Sequence, residues 1–309
     1  MKKLRIALIG LGDIAQKAYL PIIANHKDIQ PILCTRNLNT LKELSKQYRI
    51  EEFYTDITDL ISNKPDAVMI HTSTESHFII AKQCLLAGIA TFVDKPLSLS
   101  FEECEILVNL AKTNNLPFYV GFNRRFAPLI KPLAEKDAVH IRWQKNRMGL
   151  AATPRALVYN DFIHVVDSLR FLAKLAPNET PAKIHVNTFK QDNLLANVHI
   201  QFKHLDSFVE GSMNRISGIT EEQLDVFVAD EKYQINSLVR GEHYKCGELT
   251  QLGFSDWQSH LYTRGFEDML QNWLIDLNSG IANSDRLDDI LSTHLMCEDI
   301  VKQIEKDFK

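Results

Sequence analysis

The 309-residue sequence predicts an α/β protein of two domains. Residues 1–120 read as a parallel sheet covered by helices on both faces, and residues 121–309 as an α/β domain built on a large, mostly antiparallel open sheet. Three observations carry this reading. Short, near-continuous apolar runs alternate with helical stretches in the first 120 residues. After Gly121 the strand-length segments alternate only in part, as strands with one buried face do. The chain is also too long for one modest core.

The first-domain strands are expected at Leu4–Ile9, Ile29–Thr35, Ala67–Ile70, Ile89–Val93 and Phe118–Val120. Helices are expected at Ile14–Ala24, Leu38–Tyr48, Thr74–Ala87 and Phe101–Thr113. Ser100 with Glu103 has capping-box spacing. Gly88 after Ala87 is a plausible helix end, because glycine enters the left-handed region without a Cβ penalty. In the second domain a strand is expected at Ala138–Gln144 and a helix at about Asn160–Lys174. Further strands are expected at Ala182–Phe189, Ala196–Phe202, Ser207–Met213, Gln223–Ala229 and Lys232–Ser237, and helices at Phe266–Leu277 and Leu287–Phe308.

Composition narrows the functional classes. Hydrophobic residues are 45% and charged residues 24%, a globular balance that excludes a disordered chain. The net charge of -4 argues against nucleic acid and anionic membrane as partners, while leaving room for a local positive pocket. The start of the chain lacks the long apolar core of a signal peptide, and no stretch approaches the roughly 18 apolar residues of a membrane span. Five scattered cysteines without a CxxC pair suit the cytoplasm, and no metal site is expected.

Gly10-Leu11-Gly12-Asp13-Ile14-Ala15 lies between the first strand and the first helix, where a dinucleotide-binding fingerprint belongs. Gly10 makes the tight turn, Gly12 lets backbone approach a pyrophosphate, and Ala15 allows close helix packing. The N–H groups opening the helix at Asp13 and Ile14 are the expected anion donors. A bare Gly-x-Gly also makes ordinary strand–helix turns; its context here favours a Rossmann domain. At the end of the second strand an NAD site normally carries an acid for the ribose hydroxyls, yet the chain reads Thr35-Arg36-Asn37. Arg36 offers a fork for a ribose phosphate and Thr35 a hydroxyl, which favours NADP over NAD; the alternative is a solvated arginine. Thr72 and Ser73 follow the strand at Ala67–Ile70 and line the expected cofactor trough. His77 is a neighbour of the nicotinamide or a structural residue. Asp94-Lys95-Pro96 ends the strand at Ile89–Val93, and Lys95 there is suited to stabilising an alkoxide, though a surface lysine is as good a reading of these residues alone.

These features, with Gly121-Phe122-Asn123-Arg124-Arg125-Phe126 and the His164-x-x-Asp167 spacing, resemble the family of glucose–fructose oxidoreductase, inositol dehydrogenase and the rhizopine-catabolism dehydrogenases. The likeness spans nearly the whole chain. Its spelling is similar to a bacterial branch known as virulence-factor-like oxidoreductases, with Asp94-Lys95-Pro96 where the family usually has Glu-Lys-Pro. The resemblance implies a Rossmann domain and an α/β domain whose open sheet joins copies into a dimer or tetramer. It implies that Lys95, with Asp94 beside it, lies near the nicotinamide, and that His164 exchanges the substrate hydroxyl proton. Four residues before His164 the family usually has Asp; here Asn160 stands, which positions substrate but supplies no charge. Asn123 and Arg124 are expected at the substrate, with Arg147, Arg155, Tyr159, Trp257 and His260 as weaker candidates. The expected reaction is reversible hydride transfer at a secondary alcohol carbon of a sugar, polyol or derivative, catalysed by Lys95 and His164, with substrate held between the domains. A cofactor-binding sensor without efficient turnover is the alternative, and a purely structural module a third reading.

Overall fold

The computed structural model describes residues 3–307. Phe308, where the last helix was expected to end, lies outside the described residues, as do Met1 and Lys2, on which the reading of the chain start partly rests. The chain forms two compact units.

The first unit takes the chain through Gly121, together with Leu270–Asp288. Its strands are β1 (Leu4–Ile9), β2 (Ile29–Cys34), β3 (Phe53–Tyr54), β4 (Ala67–Ile70), β5 (Ala90–Val93) and β6 (Phe118–Val120). They form one parallel sheet in the order β3-β2-β1-β4-β5-β6, the strand order of a Rossmann fold. Between them run α1 (Leu20–Asn25), α2 (Leu38–Tyr48), α3 (Ile57–Ser62), α4 (Thr74–Leu86) and α5 (Phe101–Thr113). A π turn at Ala15–Tyr19 precedes α1, with the Leu20 N–H reaching back to the Ala15 carbonyl. Pro21, which has no N–H to give, sits just after it, where the helical ladder must adjust. Ser100 caps α5 by accepting from the Glu103 N–H at 3.4 Å, but the Glu103 carboxylate turns to the Ser98 hydroxyl instead of closing a reciprocal box. Gly88 takes the expected left-handed conformation, with φ +75°.

Leu270–Asp288 packs with this unit, whereas the division at residue 120 assigned it to the second domain. The cause is local. Trp273 is fully buried edge-on to Phe92 of β5 with ring centroids 5.4 Å apart, and the Tyr119 hydroxyl of β6 donates to Asn272 at 3.1 Å.

The second unit comprises Phe122–Met269 and the chain from Asp289. It contains β7 (His140–Asn146), α6 (Pro154–Leu157), a π turn at Val158–Phe162, and α7 (Ile163–Leu172). There follow β8 (His185–Gln191), β9 (Leu194–His204), β10 (Ser207–Asn214), β11 (Glu221–Val228), β12 (Glu231–Asn236), β13 (Arg240–Lys245) and β14 (Glu248–Leu252). The chain then runs through α8 (His260–Thr263), α9 (Phe266–Ser279) and α10 (Ser284–Asp307). The sheet order is β14-β13-β12-β11-β7-β10-β9-β8, antiparallel except for β7 beside β10. α7 covers that parallel pair. Gly211 on β10 makes room for it, because a Cβ there would stand 2.7 Å from Leu169 Cδ1 and 2.9 Å from Val165 Cγ1.

Buried charges tie α7 to its neighbours. Arg125 pairs with Asp167 on α7 and, at 2.7 Å, with Asp289 on α10, while Arg170 reaches Asp289 at 3.1 Å. Asp167 therefore serves this network, and burial pushes its carboxyl up to about 6 against the opposing pull of Arg125.

Candidate active site

The carboxyl edge of the parallel sheet carries a cleft of about 590 Å³, lined by the turn after β1, the end of β2 and the loop after β4. Gly10 has φ +86°, and a Cβ on it would lie 2.7 Å from the backbone nitrogen of Thr72, so glycine is required here on two counts. Nothing stands within 4 Å of where a Gly12 Cβ would be, which leaves its backbone open to a ligand. Gly10, Gly12, Thr35, Arg36, Thr72 and Ser73 all line the cleft. Arg36 is exposed, and Asn37 beside it caps α2 by accepting from the N–H groups of Asn39 and Thr40.

Three residues of the fingerprint do not line it. Asp13 is exposed and paired with Lys17 at 2.7 Å, Ile14 is exposed, and Ala15 is fully buried under the helix. His77 is also turned elsewhere: its Nδ1–H donates to the Pro96 carbonyl at 2.8 Å, and Nε2 lies 3.1 Å from the Thr72 carbonyl. It braces the loops after β4 and β5 against each other.

Sequence reasoning missed His71. It lines the cleft with its ring stacked 4.1 Å from that of Tyr19, and both ring nitrogens are buried without a hydrogen-bond partner. Burial, with His77 nearby, brings its pKa down to about 3, so the ring is neutral at physiological pH. An orphaned polar ring in a glycine-edged cleft is a place for a polar ligand. The residues present fit a dinucleotide: backbone at Gly10 and Gly12 for the pyrophosphate, and Thr35 and Arg36 for the ribose end.

Asp94 and Lys95 follow β5 and are half-buried. Asp94 accepts from the Tyr19 hydroxyl at 3.1 Å and from the Lys95 N–H at 2.9 Å. Burial raises the Asp94 carboxyl, while the charge of Lys95 and its N–H oppose this. Gly121 keeps the cluster intact, since a Cβ there would meet the Tyr19 hydroxyl at 2.7 Å and Asp94 at 3.2 Å.

In the second unit, Asn123, Arg124 and His164 come together. Arg124 is buried and grips Glu222 with Nε at 2.6 Å and Nη2 at 3.0 Å, while its Nη1 donates to His164 Nδ1 at 2.7 Å. A guanidinium has no lone pair to offer, so Nδ1 accepts and the proton of neutral His164 sits on Nε2. Burial would raise Glu222, but Arg124, Lys145 and the Trp143 indole bring it below the ordinary carboxylate range. Asn123 donates to the Arg264 carbonyl at 2.8 Å. Asn160 is exposed within the π turn, whereas Asp161 beside it is buried and pairs with Lys145, with Arg147 at 2.7 Å and with Arg215 at 2.8 Å. Of the weaker candidates, Arg155 and Tyr159 both bind Glu298, and Trp257 is 95% exposed.

Comparison with known proteins decides the family. Residues 4–122 match the model of an oxidoreductase family with an NAD-binding Rossmann fold, and residues 129–245 match the YceM-like C-terminal domain. YceM of Salmonella typhimurium, a protein bearing an oxidoreductase name, is 30% identical over 86% of this chain and 87% of its own. The chain belongs to the Gfo/Idh/MocA oxidoreductase family. A Gfo/Idh/MocA oxidoreductase from Vibrio cholerae superposes with a TM-score of 0.93 at 36% identity, covering 99% of both chains. The myo-inositol 2-dehydrogenase of Thermotoga maritima is 29% identical over 43% of this chain and 40% of its own. The two-part architecture expected of the family, a Rossmann sheet followed by a mostly antiparallel one, is present. Among the described residues no helix is long and apolar enough to cross a membrane.

Proposed function

We propose that this Gfo/Idh/MocA protein is an NAD(P)-dependent dehydrogenase or reductase acting at a secondary alcohol carbon of a sugar, polyol or derivative. The observation that carries the proposal is the cleft at the carboxyl edge of the parallel sheet, where Gly10 and Gly12 expose backbone and His71 presents an unpartnered ring. The dehydrogenase name of the Thermotoga maritima relative supports the substrate class.

The nicotinamide, when bound, supplies the hydride acceptor or donor. Lys95 stabilises negative charge on the substrate oxygen. His164 presents Nε2–H to that oxygen, the form suited to polarising a carbonyl and protonating the nascent alkoxide. In the oxidation direction Nε2 takes the hydroxyl proton only in the other tautomer, with the ring proton on Nδ1 and the Arg124 contact released. Asn160 contributes hydrogen bonding to substrate. The exposed Arg36, with no acid at Thr35 or Asn37, favours NADP over NAD. The open face of the eight-stranded sheet joins copies of the chain into a dimer or tetramer.

A sensor that binds cofactor without efficient turnover is the second reading. Its support is Asn160 where the family pattern has a carboxylate, and a guanidinium donating to Nδ1 of His164. Single-turnover assays with NADPH or NADP and a panel of ketoses and polyols separate the two. Lys95→Ala and His164→Ala are each expected to slow hydride transfer about 10²–10⁴-fold. Tight cofactor binding with no transfer to any member of the panel overturns the enzyme reading. Arg36→Ala is expected to weaken NADP at least about tenfold more than NAD, the worth of one charge-assisted contact.

A further inference from the structure

In the second unit, cations outnumber carboxylates around one pocket. A pocket of about 180 Å³ is lined by Arg124, Lys145, Arg147 and Arg264 with Glu221 and Glu222. Glu222 and Asp161 are already paired with cations, and Glu221 is held by a neutral amide. Arg124 takes both oxygens of Glu222, and the Trp143 indole adds a third bond at 3.0 Å. The Asn146 amide donates to Glu221 at 2.9 Å. Lys145, Arg147 and Arg215 share the carboxylate of Asp161.

Arg264 is left over. Its Nε donates to His260 Nε2 at 2.7 Å, and it forms no ion pair among the described residues, so both NH₂ groups of the fork are available. Lys145 and Arg124 are buried, and Arg147 and Arg264 are half-buried. Burial lowers the pKa of Arg264 against the attraction of Glu222, with Arg124 adding a smaller repulsion, and burial likewise lowers Arg215 against the attraction of Asp161. A half-buried guanidinium without an ion pair, among cations that share few carboxylates, is costly, and an anion relieves that cost.

We infer that this pocket binds the anionic group, a carboxylate or phosphate, of an acidic sugar or polyol derivative, with Arg264 and Arg147 as its principal ligands. The inference rests on the function proposed above and names its substrate class. The volume is several times the roughly 30 Å³ share of one water, which suits a carboxylate or phosphate with its first carbon atoms. Paired guanidinium forks match the planar and tetrahedral oxygen arrays of these groups. Arg124 lines the pocket with one part of its guanidinium and hands a hydrogen bond to His164 with another, so the anion and the histidine share a neighbour.

The test is binding, without turnover. Full-length protein is titrated with inorganic phosphate, D-gluconate and neutral myo-inositol at constant ionic strength in sodium chloride, by calorimetry and by melting temperature. Phosphate or gluconate is expected to bind saturably and at least tenfold more tightly than myo-inositol. Phosphate ahead of gluconate points to a phosphorylated substrate, and the reverse order to a sugar acid. Arg264→Gln and Arg147→Gln are each expected to weaken the preferred anion about ten- to hundredfold, the loss of charge-assisted hydrogen bonds, with NADP titration on the same samples reporting that the variants are folded. Anion effects no larger than those of chloride, or full affinity retained in Arg264→Gln, overturn the inference. Because no readout needs hydride transfer, failure of the redox assay and failure of anion binding are distinguishable.

Discussion

His71 and His294 are both buried and both held neutral, with pKa values brought down to about 3 and about 4 by burial. An unfolded chain takes up protons at both below about pH 6.5, whereas the folded chain refuses them, so stability rises with pH across that window. Asp167 works the other way. Its folded carboxyl titrates near 6, so between pH 6 and 3.8 the folded chain holds a proton that the unfolded chain lacks, and that contribution fades as pH rises through 6. Two histidines outweigh one aspartate, and the melting temperature is expected to fall as pH drops from 6.5 to 4.5. His71→Asn is expected to flatten the slope; an unchanged slope contradicts a neutral buried His71. The residues that came out of the sequence were those with a local signature. Gly10 and Gly12 stand in a turn whose spacing carries its own meaning, and Lys95 stands before a proline. Glu222, Lys145 and Arg264 carry no such mark. Glu222 meets Lys145 because β11 and β7 pair in that register, an alignment across 77 residues that no local window contains.

At the scale of the element, the clearest departure lies before α7. Reading 160–174 as one regular helix put residues 160 and 164 on a shared face, but the chain widens into a π turn at Val158–Phe162, and Asp161 turns its carboxylate into the cation cluster. Strands β13 and β14 also escaped notice. They are polar, and their hairpin rests on Cys246 and Gly247, both with positive φ, a turn whose Cys-Gly spelling is far less telling than Asn-Gly. The pairing of α7 with α10 through Arg125, Asp167 and Asp289 is largely shielded from water, with Asp167 fully buried. Asp167→Ala is expected to cost about 3–5 kcal/mol at pH 7, as removing one partner strands the others. Urea denaturation checks this, and a loss below about 1 kcal/mol would place the network in the class of surface ion pairs.

For the whole molecule, the parallel sheet was legible almost strand by strand because burial on both faces writes continuous apolar runs such as Leu4–Ile9 and Ala67–Ile70. The membership of Leu270–Asp288 was not, since an amphipathic helix does not record which partner its apolar side will meet. Selective binding to the folded state must stabilise it, so NADP at a hundred times its Kd is expected to add about 2.7 kcal/mol and raise the melting temperature accordingly. No shift with either NADP or NAD at millimolar concentration would remove the cofactor from the proposal.

Gly211 has a consequence at a distance. By leaving Leu169 and Val165 nothing but backbone to rest on, it sets how deeply α7 seats on the sheet, and Val165 directly follows His164 in the chain. A single methyl group at position 211 would act as a shim, lifting the helix by a fraction of its own thickness and carrying the imidazole with it. The seating of His164 is thus gauged partly from beneath, by an atom that is missing.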